Sequence, residues 1–129
     1  MDQLKKNKAF IIKYYNAISG VEKTRELCER FMEDPKLIDH IQFFDRAFPK
    51  YELFIMEMIT EGNRVIVYGR ATGTHKGEYQ GIPPTGGQMD LPFVIRYTIE
   101  NEKITDMWLV ADQMILMEQL GVMQAQTTA

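Results

Sequence analysis

No disulfide can form within this 129-residue chain, because Cys28 is its only cysteine. Histidine is nearly as scarce: His40 and His75 are the only two. With Cys28 at wide spacing they match no zinc pattern, so no metal is expected unless distant carboxylates complete a site in space. A basic excess is also missing. The formal charge of −3 argues against nucleic-acid binding, which calls for a positive stripe. The densest basic stretch, Lys5, Lys6, Lys8 and Lys13, suits the wet face of a helix. Apolar runs such as Met114 to Met117 are far too short to span a bilayer. Residues Met1 to Lys6 hold no apolar signal stretch, and a cytoplasmic protein is expected. Repeats, low-complexity tracts and Ser/Gly linkers are lacking too. Residues 1–123 are therefore expected to form one domain, and Gln124 to Ala129 a disordered tail.

What is present is ordinary globular chemistry, 45% hydrophobic and 26% charged, so a packed core is expected rather than disorder. Leu4, Ile11, Tyr14, Tyr15 and Ile18 recur at helical spacing up to Ser19-Gly20. A second helix is expected over Val21 to Glu33. A third starts at Asp34-Pro35, where Asp caps and Pro suits the first turn, and runs to about Ala47 before Pro49. Four strands follow: Tyr51 to Thr60, Arg64 to His75, Leu91 to Glu100 and Lys103 to Ala111. Glu61-Gly62-Asn63 and Asn101-Glu102 join them as two hairpins. Gly77 to Gly87 is too rich in Gly and Pro for a central strand. A last short helix spans about Asp112 to Leu120, stopped by Gly121.

Consecutive hairpins with helices gathered at one end predict an α+β fold whose helices cover one face of a curved antiparallel sheet. Period-2 reading places Val65, Val67, Gly69, Ala71, Gly73 and His75 on the covered face, with Phe93, Ile95, Tyr97 and Ile99. Tyr68, Arg70, Thr72, Thr74, Val94, Arg96 and Thr98 fall on the other, a wet face or a dimer contact. The small Gly69, Ala71 and Gly73 leave room for either close helix packing or a pocket.

Gly73 to Tyr79, followed by Gly81-Ile82-Pro83-Pro84-Thr85-Gly86, resembles the central signature of the SnoaL-like polyketide cyclases. Tyr97 to Ile104, Trp108, Asp112 and Gln119-Leu120-Gly121 continue the resemblance in order, and Leu37 to His40 and Ala47-Phe48-Pro49 precede it. It covers nearly the whole chain. It implies a cone-shaped domain of the nuclear transport factor two-like superfamily, with an apolar pocket between helices and sheet and a homodimer through the sheet. Characterised members close polyketide rings by aldol condensation without metal or organic cofactor. Other superfamily members are isomerases, dehydratases and hydrolases, so the fold leaves the reaction open.

The resemblance places the acid/base on Asp112, at the mouth of the last helix, where partial desolvation would raise its pKa. The alternative is a simple N-cap. His75 would polarise a substrate carbonyl or pair with Asp112, or else bond the glycine-rich loop. His40 would point into the cavity, or lie on a helix surface. Trp108 shares the parity of Asp112 and would form a flat wall for a ring, or pack in the core. Tyr79 would act as a lid or a rigid connector, and Tyr14 joins the substrate-binding set. Glu57 would supply a second pocket carboxylate, or pair with Arg70 at a wet edge. Methionines, Met56, Met58, Met107 and Met114 among them, would line the cavity or fill the core. Many relatives carry a histidine directly before the Trp; here Met107 stands there. The expected ligand is a small apolar molecule, and the function a cyclase- or isomerase-like proton transfer. A non-catalytic ligand-binding or sensory domain, a dimerisation module and a hydrolase are the alternatives.

Overall fold

The computed structural model describes residues 2–122, so the expected tail at 124–129 lies outside the described residues. Helix α1 spans Gln3–Ile18, α2 Arg25–Glu29, α3 Pro35–Ala47 and α4 Gln113–Gln119. Strands β1 (Glu52–Glu61), β2 (Arg64–Thr74), β3 (Gln88–Glu100) and β4 (Lys103–Ala111) form one antiparallel sheet in the order β1-β2-β3-β4. Each helix begins where a side chain can accept from a free N–H: Asp2, Thr24, Asp34 and Asp112 all do so. The β3–β4 hairpin turns on Asn101 and Glu102, both with positive φ, as a two-residue connection matching strand twist requires.

The second helix is shorter than its apolar stripe suggests. Only Arg25–Glu29 is helical, because both flanks have stronger partners. Upstream, the buried Lys23 ammonium donates to the carbonyls of Val21 and Tyr51 at 2.8 Å each, holding the chain extended. Downstream, Met32 bridges to Ile104 beside β4, and Ile104 N–H donates to Phe31 at 2.7 Å.

The covered face follows the period-2 reading. Val65 and Val67 of β2 and Leu91, Phe93, Ile95, Tyr97 and Ile99 of β3 are buried under α1 and α3. Of the three small residues, two are used for packing. A Cβ at Gly69 would meet the Phe93 ring at 2.7 Å, and one at Gly73 would press on Tyr51 and Phe48. Ala71 alone opens onto free space.

Two bulges decide which residues face that space. In β1 the pairing shifts between Ile55 and Glu57, so Leu53, Ile55 and Met58 turn inward while Met56, Glu57 and Ile59 turn out. In β4 the shift opposite Thr98/Ile99 leaves Thr105 unpaired. Met107, Leu109 and Ala111 then face the helices, and Asp106, Trp108 and Val110 face away.

Candidate active site

A cavity of about 190 Å³ lies between α3, α1 and the inner face of the sheet. Its walls are apolar and aromatic: Leu37, Ile41, Phe43 and Phe44 from α3, with Leu53, Ala71, Leu91, Phe93, Ile95 and Leu109 from the strands. The half-buried His40 and the exposed Gln80 and Gln113 mark the opening. Tyr14, Tyr15, Tyr51, Tyr79 and Tyr97 supply the buried polar atoms. Among the described residues no Asp, Glu, Lys or Arg lines it.

The helical period puts His40 there. Leu37 lies three residues before it and Phe44 four after it on the same side of α3, and the imidazole follows them over Phe44, 5.8 Å between ring centres. Burial pushes its pKa below the ordinary 6.5, since the charged form is the one that loses hydration. At neutral pH His40 is therefore an uncharged imidazole able to accept a proton.

At the interior end the Tyr15 and Tyr97 hydroxyls are 2.8 Å apart. Tyr14 stands edge-on to both rings, 5.5 Å from Tyr15 and 6.0 Å from Tyr97. Burial raises the pKa of Tyr14, Tyr15, Tyr51 and Tyr97; repulsion from the neighbouring phenolates adds to it for Tyr14 and Tyr97, and the Asp45 carboxylate adds to it for Tyr51. All four are neutral phenols, hence proton donors in hydrogen bonds rather than bases. Tyr79 is packed against Phe43, Phe44 and Phe48 and donates to Gln113 Oε1 at 2.9 Å, forming a fixed wall at the opening.

Several expected site residues lie elsewhere. Asp112 is exposed, and its Oδ1 accepts from Met114 and Ile115 N–H at 3.0 and 3.1 Å, so its carboxylate caps α4 instead of entering the cavity. Ala111 and Gln113 line the opening; Asp112 has the opposite parity. Trp108 shares that parity, as the sequence indicates, but the face is the outer one, and Trp108 is 59% exposed. Glu57 is turned outward by the β1 bulge and has no partner in Arg70, which forms a bidentate pair with Asp90 instead, at 2.9 and 2.6 Å. His75 is fully buried outside the cavity lining, beside Phe48. Its Nδ1 accepts from Thr85 N–H at 3.2 Å and lies 3.0 Å from Thr85 Oγ1, tying down the glycine-rich loop. His75 and Asp112 do not pair. The methionines are not the lining either: Met56 and Met114 are half exposed, and Met58 and Met107 fill the core around the cavity.

Tyr15, Tyr51, Tyr97, Gln80 and Gln113 were not singled out from the sequence. Tyr97 was legible as a covered-face residue, but that an adjacent helix carries the matching hydroxyl was not. Among the described residues no three His, Cys, Asp or Glu side chains converge as metal ligands.

The fold has solved counterparts. AclR, a candidate hydroxylase from Streptomyces galilaeus, matches with TM-score 0.82 at 19% identity, over 98% of this chain and 87% of its own. A candidate SnoaL-like polyketide cyclase from Jannaschia sp. CCS1 matches at 0.78 and 19%, over 93% and 95%. TsrD from Streptomyces laurentii matches at 0.79 and 16%, over 95% and 99%. Identities this low speak for the fold alone, a nuclear transport factor two-like cone. No curated protein matches by sequence. The model of the SnoaL-like polyketide cyclases matches residues 35–120, from the start of α3 to the end of α4. The chain belongs to the SnoaL-like polyketide cyclase family.

Proposed function

We propose that residues 1–123 form one enzyme domain that moves a proton on an uncharged carbonyl compound held in this cavity, as a cyclase or isomerase does, without a cofactor. The observation that supports it is a neutral imidazole, His40, at the opening of an apolar cavity free of charged side chains. A proton next to a carbonyl is already weakly acidic, so one positioned base suffices. His40 takes that proton, and the C–H electron pair moves into the carbonyl as an enolate. The enolate carbon then attacks a second carbonyl, whose alkoxide receives the proton from the imidazolium; with a β,γ-unsaturated substrate, the dienolate instead takes the proton back from the imidazolium at its γ-carbon. Tyr14 and Tyr79 shape the site. Asp112 acts through its cap, His75 through the loop it holds.

A substrate-independent assay tests this: deuterium exchange at the α-carbon of phenylacetone in D2O, followed by NMR. The native protein is expected to accelerate exchange, and His40→Gln to lose about 10²-fold or more. Asp112→Asn keeps a good capping side chain, and its rate is expected to stay within about twofold. If Asp112→Asn fell as far as His40→Gln, the carboxylate would be a base and the assignment to His40 would fail.

The non-catalytic ligand-binding reading has one observation in its favour, the lack of any carboxylate in the lining. Tight ketone binding with no exchange above the buffer rate would establish it.

The working form we propose is a cytoplasmic homodimer joined through the outer face of the sheet. There Tyr68, Val94 and Val110 are cross-strand neighbours, and Ile66, Arg96 and Trp108 form the adjacent row. Tyr68, Val94, Val110, Ile66 and Trp108 are each between 39% and 59% exposed, a contiguous apolar area of the kind that marks an interface.

A further inference from the structure

We infer that the Tyr15–Tyr97 hydroxyl pair receives the substrate's carbonyl oxygen, and that the substrate class is an uncharged, one-ring-sized carbonyl compound. The inference rests on the proton-transfer reading above and assigns the acceptor end of the same site. Two hydroxyls 2.8 Å apart hold two protons, of which the bond between them uses one. The other is left for a third oxygen. Tyr14 and Tyr51 bring their hydroxyl-bearing rings to the same cavity, and neither hydroxyl has a hydrogen-bond partner among the described residues. Unused O–H donors thus remain at this end, and a carbonyl oxygen with two lone pairs is a group that can accept from them. As negative charge grows on that oxygen, fixed O–H donors in a water-poor site strengthen their bonds to it, which lowers the barrier rather than only tightening binding.

Charge and size set the class. A carboxylate or ammonium on the ligand would meet no counter-ion, because no acidic or basic side chain other than the neutral His40 lines the cavity. A volume of about 190 Å³ somewhat exceeds the roughly 150 Å³ known to take a benzene. One ring with a short substituent fills it; a fused multi-ring skeleton would have to extend out through the opening. His40 at the opening and the phenols inside then address two ends of one small molecule, the α-carbon and the oxygen.

The test uses 4-fluoroacetophenone, with fluorobenzene (no oxygen) and 4-fluorobenzoate (charged) as controls, titrated by fluorine NMR. Native protein, Tyr97→Phe, Tyr15→Phe and His40→Gln are compared, and the bound ketone's carbonyl stretch is read by infrared. Native protein is expected to bind the ketone with a red-shifted stretch and to hold the benzoate at least about tenfold more weakly. Each Phe variant is expected to lose about fivefold to tenfold in ketone affinity, the worth of one neutral hydrogen bond, and to lose the red shift, while fluorobenzene binding is unchanged. In the exchange assay the Phe variants are expected to fall about 10²-fold, more than their loss in affinity. Either Phe variant suffices if the other does not fold. Unchanged affinity and stretch in the Phe variants, or benzoate binding as tight as ketone, overturns the inference. If His40→Gln still loses exchange in that case, proton transfer stands without the tyrosine pair. Loss in His40→Gln of exchange but not of the red shift supports the two-ended arrangement.

Discussion

An imidazole taken out of water holds its proton less tightly, since the cation loses more hydration than the neutral ring. His40 is in that position, with a pKa below 6.5 and no neighbouring charge to restore it. Because the base must be unprotonated, kcat/KM for α-carbon exchange is expected to rise with pH through a midpoint below 6.5 and then level off. His40→Gln should remove the acid limb; a limb persisting in that variant would assign it to another group. Stability shifts in the same direction. Below 6.5 the unfolded chain binds a proton that the folded one resists, so stability from this group is present above 6.5 and lost as pH falls through the folded pKa. Asp112 illustrates the converse situation. Its carboxylate is wet and already satisfied by two backbone N–H groups, which leaves it a structural task. His75 has Nδ1 likewise committed to Thr85, while its buried Nε2 has no partner among the described residues.

A single extra residue in a strand turns every later side chain over, and that is what separates the lining of this cavity from its exterior. Without the bulge at Met56, Glu57 would share the inner parity of Leu53 and Ile55; with it, Met58 takes the inward place. The loop after β2 is positioned just as sharply. Lys76 and Gly77 N–H both donate to Ala47 O, at 3.0 and 3.1 Å, and a Cβ on Gly77 would collide with the carbonyl oxygen of Arg46. Gly77→Ala is therefore expected to cost about 2–3 kcal/mol, as overpacking against rigid backbone does. A urea midpoint unchanged from the native protein would show that the loop has room to move. Since Tyr79 and Gln80 follow directly, ligand affinity should fall along with stability.

For the whole molecule, the helices bury one face of the sheet and leave the other open with its apolar rows in register. Trp108→Glu places a charge at the β4 edge of that face, beside Arg96. Analytical ultracentrifugation is expected to show a dimer for the native protein and a monomer for this variant, with ketone binding retained; a monomeric native protein at high micromolar concentration would exclude the proposed interface. The architecture was legible in advance because it follows from short-range physics. Helical spacing, Asp34-Pro35, the tight turns and strict alternation in β2 and β3 each depend on a residue and its near neighbours, and the ordered motifs from Leu37 to Gly121 carried the family. The site was legible only in part. His40 and Tyr14 were named and line the cavity, and Tyr79 stands at its opening, whereas Asp112, Trp108 and Glu57 carry plausible chemistry on the wrong face. The sequence alone determined the order of helices and strands and which face of the central strands is greasy, since those follow from local periodicity; the extent of α2 does not. Only the tertiary structure decided that β1 and β4 change parity midway, and that Tyr15 of a helix meets Tyr97 of a strand 82 positions later. Bulges and through-space hydroxyl pairs depend on how distant strands and helices pack, and no local pattern encodes that.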